Sequence, residues 1–282
     1  MRLGKLDVQL VDDGTFWFDG GVIFGIVPRT VWSRLAQPDE RNRIRLGLNS
    51  LLIRSGNRTA LVETGIGRNM TPRQKDIYGI DDSTDLLRAL AAHGVRPEDV
   101  HVVINTHLHC DHAGWNTRRD ERGRLVPTFP RARYVVQRGE WQAATHPTDL
   151  TTVSYRPEHF VPLADCGVLE LIDGEAEVAP GVHVLPAPGH TPHHQAVLLK
   201  SEGQTACFTG DLIPTSMHLR KAYFCAFDAS PGQVLEAKRE LLGKALRENW
   251  ILFYPHDANV PASRLRPPSG DRQFALAEPL KI

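Results

Sequence analysis

Apolar and polar positions alternate with a period of two along several stretches, which predicts a chain rich in strands. Residues 6–18 alternate into a hairpin predicted to turn at Asp12-Asp13-Gly14. Leu48 to Thr64 predicts a second hairpin, with Ser50-Leu51-Leu52-Ile53-Arg54 turning at Ser55-Gly56-Asn57 into Thr59-Ala60-Leu61-Val62. Further strands are predicted at Val100–Asn105, Arg133–Gln137, Val182–Leu185, Ala196–Lys200, Ala206–Thr209 and Trp250–Tyr254. Helical spacing is confined to a few segments. Ser83-Thr84-Asp85 predicts a cap for a helix through Leu86, Leu87, Leu90 and Ala91, stopped by Gly94, and a short helix begins near Glu140. The clearest helix starts at Ser230-Pro231-Gly232-Gln233, a capping-box pattern, and carries Val234, Leu235, Lys238, Leu241, Leu242, Ala245 and Leu246 at helical spacing. Between the two hairpins, Gly20-Gly21-Val22-Ile23-Phe24-Gly25-Ile26-Val27-Pro28 is apolar and punctuated by glycine. It reads as hydrophobic cover in an irregular arm, with a pocket wall or a homodimer contact as its functional alternatives.

Strands and helices recur in two similar halves with no low-complexity linker between them. A sheet packed on a sheet with helices outside is the architecture this order implies. The chain of 282 residues is expected to form one domain over 1–282, with 262–282, rich in Pro and Arg, as a peripheral tail. Charge changes the picture by exclusion: 33 basic residues balance 33 acidic ones, so no basic field is available for nucleic acid or an anionic membrane. Cys110, Cys166, Cys207 and Cys225 show no C-x-x-C spacing, which argues against a disulfide scaffold or a zinc ribbon. The first residues lack a signal-peptide core and no segment has the length of a membrane span, so a cytoplasmic protein is expected.

Histidine carries the chemistry. In Thr106-His107-Leu108-His109-Cys110-Asp111-His112-Ala113-Gly114, three imidazoles and a carboxylate fall within six positions. His107 and His109 point to one side at strand-like spacing, and Asp111 and His112 follow where the chain turns, so the four can converge on one point. Imidazole and carboxylate suit Zn²⁺, Fe or Mn. His190, Asp211 and His256 each stand at the C-terminal end of a predicted strand, where loops gather into clefts, and are candidates to complete the site.

H-L-H-C-D-H, then P-G-H-T, then T-G-D, then a late strand ending in H-D, together resemble the metallo-β-lactamase-fold hydrolases, from the hairpin before Glu63-Thr64-Gly65 to His256. The resemblance implies an α/β four-layer αββα sandwich with a dinuclear metal site at the sheet edge. It assigns His107, His109 and His190 to one divalent ion and Asp111, His112 and His256 to the other, with Asp211 bridging. Two ions, zinc foremost with iron or manganese as alternatives, would make a bridging hydroxide near neutral pH, and Asp111 would pass a proton to the leaving group.

Gly210-Asp211-Leu212-Ile213-Pro214-Thr215, His218 and the Phe24–Pro28 segment are similar to the lactonase-like and methyl-parathion-hydrolase-like branch, which implies a small-molecule lactone or ester as substrate. An organophosphate triesterase is the first alternative, and a metal-binding, non-hydrolytic sensor or interaction module the second. Tyr223, His218 and Trp115 are candidates to contact substrate. Pro214 stands where acyl-homoserine lactonases place a tyrosine, Glu63 where Asp is usual, and Pro192-His193-His194 has His where Gly is common. Glu63 is expected to make a longer contact behind the ligands.

Overall fold

Strand Arg43–Ser55 shows how the alternation builds the molecule: Leu51 and Ile53 enter one apolar cluster and Leu52 the opposite one. Its neighbour Arg58–Val62 does the same, Ala60 and Val62 facing one way and Leu61 the other. In the computed structural model, which describes residues 1–81, 83–267 and 275–280, this strand pair lies at the centre of a seven-stranded sheet. From edge to edge its strands are Arg2–Leu3, Leu6–Asp19, Arg43–Ser55, Arg58–Val62, Val102–Ile104, Arg133–Gln137 and Leu169–Ile172.

A second seven-stranded sheet runs Ala176–Ala179, Val182–Pro186, Gln195–Ser201, Gln204–Phe208, Ile251–Phe253, Ala262–Arg266 and Ala275–Pro279. Each sheet pairs a hairpin with a parallel strand that arrives after a helix. Arg58–Val62 pairs with Val102–Ile104 in one sheet, and Gln204–Phe208 with Ile251–Phe253 in the other. A parallel pair needs a crossover connection, and helices Leu86–Ala92 and Pro231–Arg247 lie in the two crossovers.

Three apolar clusters define four layers. Between the sheets, Val8, Leu51, Ile53, Val62 and Ile104 meet Val184, Val197, Leu199, Phe208 and Phe253. Outside the first sheet, Leu52, Leu61, Val103 and Tyr134 pack on Leu86 and Leu90 of the crossover helix and on Ala144 of helix Arg138–Thr145. Outside the second, Leu198, Cys207 and Leu252 pack on Val234, Leu241, Leu242 and Ala245. The expected αββα sandwich is therefore present. No helix of the described residues is long and apolar enough to cross a membrane.

Four expectations are corrected. Residues 6–18 form no hairpin: Leu6–Asp19 is one strand with a bulge between Asp12 and Thr15. The Asp-Asp-Gly sequence reads as a turn, but the Asp13 carboxylate points inward and accepts from the backbone N–H groups of Ile66, Gly67 and Leu86 and from the Trp115 indole. The arm at 20–28 includes a short helix, Gly20–Phe24, capped by the Asp19 side chain. At the long helix Pro231 sits in the first turn as expected, yet the Ser230 hydroxyl makes no capping bond. The segment from 262 is not a peripheral tail, because Ala262–Arg266 pairs with Ile251–Phe253 and buries Ala262, Ser263 and Leu265. Residues 268–274 and 281–282 of that expected tail lie outside the described residues.

Phe208 is fully buried between the sheets. Phe208→Ala is expected to lower stability by about 3–5 kcal/mol, read as a lower urea midpoint with unchanged slope.

Candidate metal centre

Strand ends deliver the site. The chain leaves Val102–Ile104 and turns through Asn105 and Thr106 into His107–His112; it leaves Val182–Pro186 into His190, Gln204–Phe208 into Asp211, and Ile251–Phe253 into His256. All four departures are C-terminal ends of strands, so the two sheets contribute to one edge of the sandwich. The loop geometry is held by buried donors. The Asn105 amide donates to the His112 carbonyl, and the Thr106 N–H donates to Glu63. Gly210, at φ 54°, lies where an added Cβ would fall 2.3 Å from His194 Nε2, so the turn that presents Asp211 requires glycine.

The seven side chains singled out from the sequence come together. His107, His109 and His190 form one group of potential ligand atoms, His107, His112 and Asp211 a second, and Asp111, His112 and His256 a third. Asp211 is the hinge between them. Its Oδ1 lies 3.4 Å from His112 Nε2 and 3.2 Å from His256 Nε2, while its Oδ2 lies 3.3 Å from His190 Nε2. Asp111 reaches His256 Nε2 at 3.5 Å and His112 Nε2 at 3.8 Å.

The far side of each ring fixes which nitrogen faces inward. His256 Nδ1 donates to the Gly47 carbonyl at 2.9 Å, and His190 Nδ1 donates to Asp228 Oδ1 at 2.7 Å. His112 Nδ1 lies 3.5 Å from Glu63 Oε2, the long contact expected for this glutamate. In the neutral rings of His190 and His256 the inward Nε2 is then a lone-pair acceptor. Yet His256 Nε2 lies 3.0 Å from His112 Nε2, and His190 Nε2 lies 3.1 Å from His109 Nδ1. His107 Nε2 and Asp211 Oδ1 are buried with no hydrogen-bond partner. More inward lone pairs than donors, with two buried atoms left unpartnered, fit divalent cations, so the residues present suit the metal centre that the resemblance implies.

Electrostatics agree. Burial and the neighbouring rings hold His107 and His109 well below the ordinary imidazole range, in the neutral form a metal requires. Burial acts the same way on His112, His190 and His256, but there Asp211 together with Asp111 and Glu63 at His112, Asp228 at His190 and Asp111 at His256 outweighs it and favours positive charge at this centre. Burial alone would raise the Asp211 pKa; His112, His256 and His190 hold it well below the usual carboxylate range.

Several supporting residues carry no local sequence signal. Glu140 accepts from the Leu108 N–H and the Tyr155 hydroxyl on one oxygen and from the Thr191 hydroxyl on the other, tying the loops of His109 and His190 together. His194, which stands where glycine is common, accepts the Asp211 N–H on Nε2 while its Nδ1 donates to the Ala187 carbonyl. Asp228 likewise has no local signal; it accepts from the Cys225 N–H on the oxygen that does not face His190.

Beside the cluster opens a cavity of ≈ 240 Å³ lined by Phe16, Phe18, Ile23, Leu46, Ile77, Tyr78, Cys110, Val153, Ser154, Pro214, Cys225 and Phe227, with His109, Asp111, His190, Asp211 and His256 at its floor. Ile23 brings the arm to it as a wall. A second cavity of ≈ 500 Å³, bordered by His146, Thr148, Leu150 and Asp228, meets the first at His109, Ser154, His190 and Phe227.

The three residues expected at the substrate are elsewhere. His218 is buried, its ring stacked on Phe24 at 5.5 Å and bonded to the Thr215 hydroxyl and the Ile23 carbonyl. Tyr223 packs edge-on against the same Phe24, 5.8 Å between centroids, and its carbonyl accepts from Lys238. Trp115 turns its indole N–H to Asp13. None of the three lines either cavity, because each has a packing and hydrogen-bonding role away from the cluster.

A family model described as the metallo-beta-lactamase superfamily matches residues 44–256. Among curated proteins, an N-acyl homoserine lactonase from Bacillus sp is 33% identical over 166 residues, 58% of this chain and 58% of that protein. The chain thus spans little more than half the length of that relative. Among solved structures, a probable metal-dependent hydrolase from Staphylococcus aureus superposes with a TM-score of 0.88 at 27% identity, each chain covered in full. AidC, a dizinc quorum-quenching lactonase, superposes at 0.79 with 18% identity over 100% of this chain and 97% of its own, a likeness of fold.

Asp228→Asn keeps the shape around His190 but removes the negative charge that faces its Nδ1. Metal affinity is expected to fall about 10- to 100-fold, measured by competition with a chromogenic chelator.

Proposed function

This chain belongs to the metallo-beta-lactamase superfamily, and from that premise we propose that it is a metal-dependent hydrolase of small lactones or related esters. The observation that carries the proposal is Asp211, whose two oxygens face different imidazoles at the floor of an apolar cavity. His107, His109 and His190 would hold one divalent ion and Asp111, His112 and His256 the other, with Asp211 shared. When bound, such a pair supplies a hydrolytic nucleophile from water near neutral pH and withdraws charge from the substrate's carbonyl.

The chain's own residues do the rest. Asp228, Glu63 and the Gly47 carbonyl orient the imidazoles, so that the site is organised before substrate arrives. Asp111, partly exposed at the cavity, has a carboxylate able to take up a proton and return it to the departing oxygen. Phe16, Phe18, Ile23, Leu46 and Phe227 exclude water around the reacting centre.

Substrate class follows from this wall. Exposed Ile77, Val153 and Phe227 carry the apolar surface outwards, suiting a substrate with a polar head at the cluster and an apolar tail along the wall. An acyl lactone has that form, and the Bacillus relative bears the name of an N-acyl homoserine lactonase. A phosphotriester with an aromatic leaving group is the second reading, favoured by the stack of Phe18 on Tyr78 beside Phe227.

The test is a panel of lactones, aryl esters and phosphotriesters with metal-loaded protein. Lactone turnover is expected to be the fastest, to vanish on chelation and to return with added metal. Asp211→Ala is expected to abolish turnover and lower the metal content. Turnover surviving in that variant would overturn the mechanism, and bound metal with no turnover in any class would leave a non-hydrolytic metal-binding module.

A further inference from the structure

On the hydrolase reading, a side chain of the cavity wall outside the metal cluster must meet the substrate's oxygens. Away from the cluster the cavity wall is mostly apolar. Outside the cluster its polar side chains are the hydroxyls of Tyr78 and Ser154 and the thiols of Cys110 and Cys225. A thiol is a weak donor, so an ester oxygen that loses its water here has two hydroxyls to turn to.

Tyr78 is built into the wall. It ends helix Pro72–Tyr78, which begins with a full capping box between Thr71 and Gln74 and stops at Gly79 in the left-handed region. The carbonyls of Asp76 and Ile77 in its last turn accept from the Arg43 guanidinium, fastening that turn to the first sheet. The ring lies stacked on Phe18, centroids 5.7 Å apart and planes 12° apart. Two rigid contacts therefore fix where the phenol oxygen points. Ser154, by contrast, lies where the two cavities meet and borders both.

The surroundings of the phenol favour a donor role. It sits by Cys110, Asp111 and the Arg156 guanidinium. Arg156 belongs to the segment bound to the histidine loop, where the Cys110 N–H donates to the Ser154 carbonyl and His109 bridges to Tyr155. The Arg156 guanidinium lies against the Tyr78 phenol and the Cys110 thiol. A phenol oxygen has two acceptor lone pairs and one proton. With the guanidinium on the acceptor side, the proton is left for an acceptor in the cavity that Tyr78 lines.

We propose that the Tyr78 hydroxyl is a catalytic hydrogen-bond donor to the substrate's carbonyl oxygen, and that Arg156 is the positioning residue that orients it. The hydroxyl keeps its proton throughout; its bond strengthens as negative charge gathers on the oxygen and so lowers the barrier.

The test compares Tyr78→Phe, Arg156→Met, Arg156→Lys, the double variant Tyr78→Phe/Arg156→Met and Ser154→Ala, each metal-loaded, on the lactone that wild type turns over best. Tyr78→Phe retains the ring stack, so metal content by elemental analysis and the urea midpoint are expected to match wild type. Its kcat is expected to fall about 10²-fold with KM within about twofold. Arg156→Met is expected to lower kcat, Arg156→Lys to restore part of it, and the double variant to be no slower than Tyr78→Phe, since the arginine acts through the phenol. A kcat for Tyr78→Phe within twofold of wild type, loss confined to Ser154→Ala, or loss of metal from Tyr78→Phe would each overturn the assignment while the hydrolase reading stands. If metal-loaded wild type turns over nothing in the panel, the hydrolase reading falls and this inference with it.

Discussion

Crowding of acceptors at the sheet edge is the constraint on which the rest of the structure depends. Asp211 is buried among His112, His190 and His256, with inward nitrogens and oxygens 3.0–3.4 Å apart. In the neutral state the inward lone pairs of His190, His256 and the two carboxylates outnumber the protons the remaining rings could supply, and each buried polar atom left unpaired costs about 1–3 kcal/mol. Positive charge at the centre resolves the conflict. The surrounding structure is organised to keep the conflict in place rather than relieve it. His190 and His256 have their outer nitrogens tied to Asp228 and Gly47, so neither can rotate to find another partner without giving up a bond.

That arrangement depends on the sandwich. Each sheet supplies a parallel pair whose C-terminal ends reach the same edge, and the apolar layer from Leu51 to Phe253 sets their relative position. Glu140 then joins two of the loops directly, and the His194 ring joins the Asp211 turn to the strand end at Ala187. Packing determines where the strands end; buried hydrogen bonds determine where the ligand atoms point. The cavity inherits its character from the same edge, with metal-binding groups on its floor and aromatic side chains of the first sheet, Phe16 and Phe18, on its wall.

Legibility in the sequence followed locality. The H-x-H-x-D-H run could be read because its four candidate ligands are neighbours in the chain, and His190, Asp211 and His256 could be read because each follows a recognisable strand. Asp228 and Glu140 could not, since the groups they hold are 38 and 32 residues away and nothing beside them marks the contact. Tyr223 and His218 stand on the loop after Asp211, which made them plausible substrate contacts; Phe24 from the distant arm claims both. Tyr78 is silent in the sequence for the converse reason, because its place at the cavity depends on stacking on the distant Phe18. The Asp12-Asp13-Gly14 stretch carried a turn signal, yet the Asp13 carboxylate is the acceptor for backbone groups more than 50 residues away. The composition after 262 suggested a tail, and only the pairing with Ile251–Phe253 reveals the alternation in Ala262–Arg266.

Metal stoichiometry decides whether the acceptor crowd is a dinuclear centre. Elemental analysis of the protein after loading with zinc and removal of free ion, combined with anomalous diffraction at the zinc edge, counts and locates the ions together. Two ions per chain are expected, one among His107, His109 and His190, the other among Asp111, His112 and His256, both reached by Asp211. A single ion per chain, or none retained at the sheet edge, would contradict it.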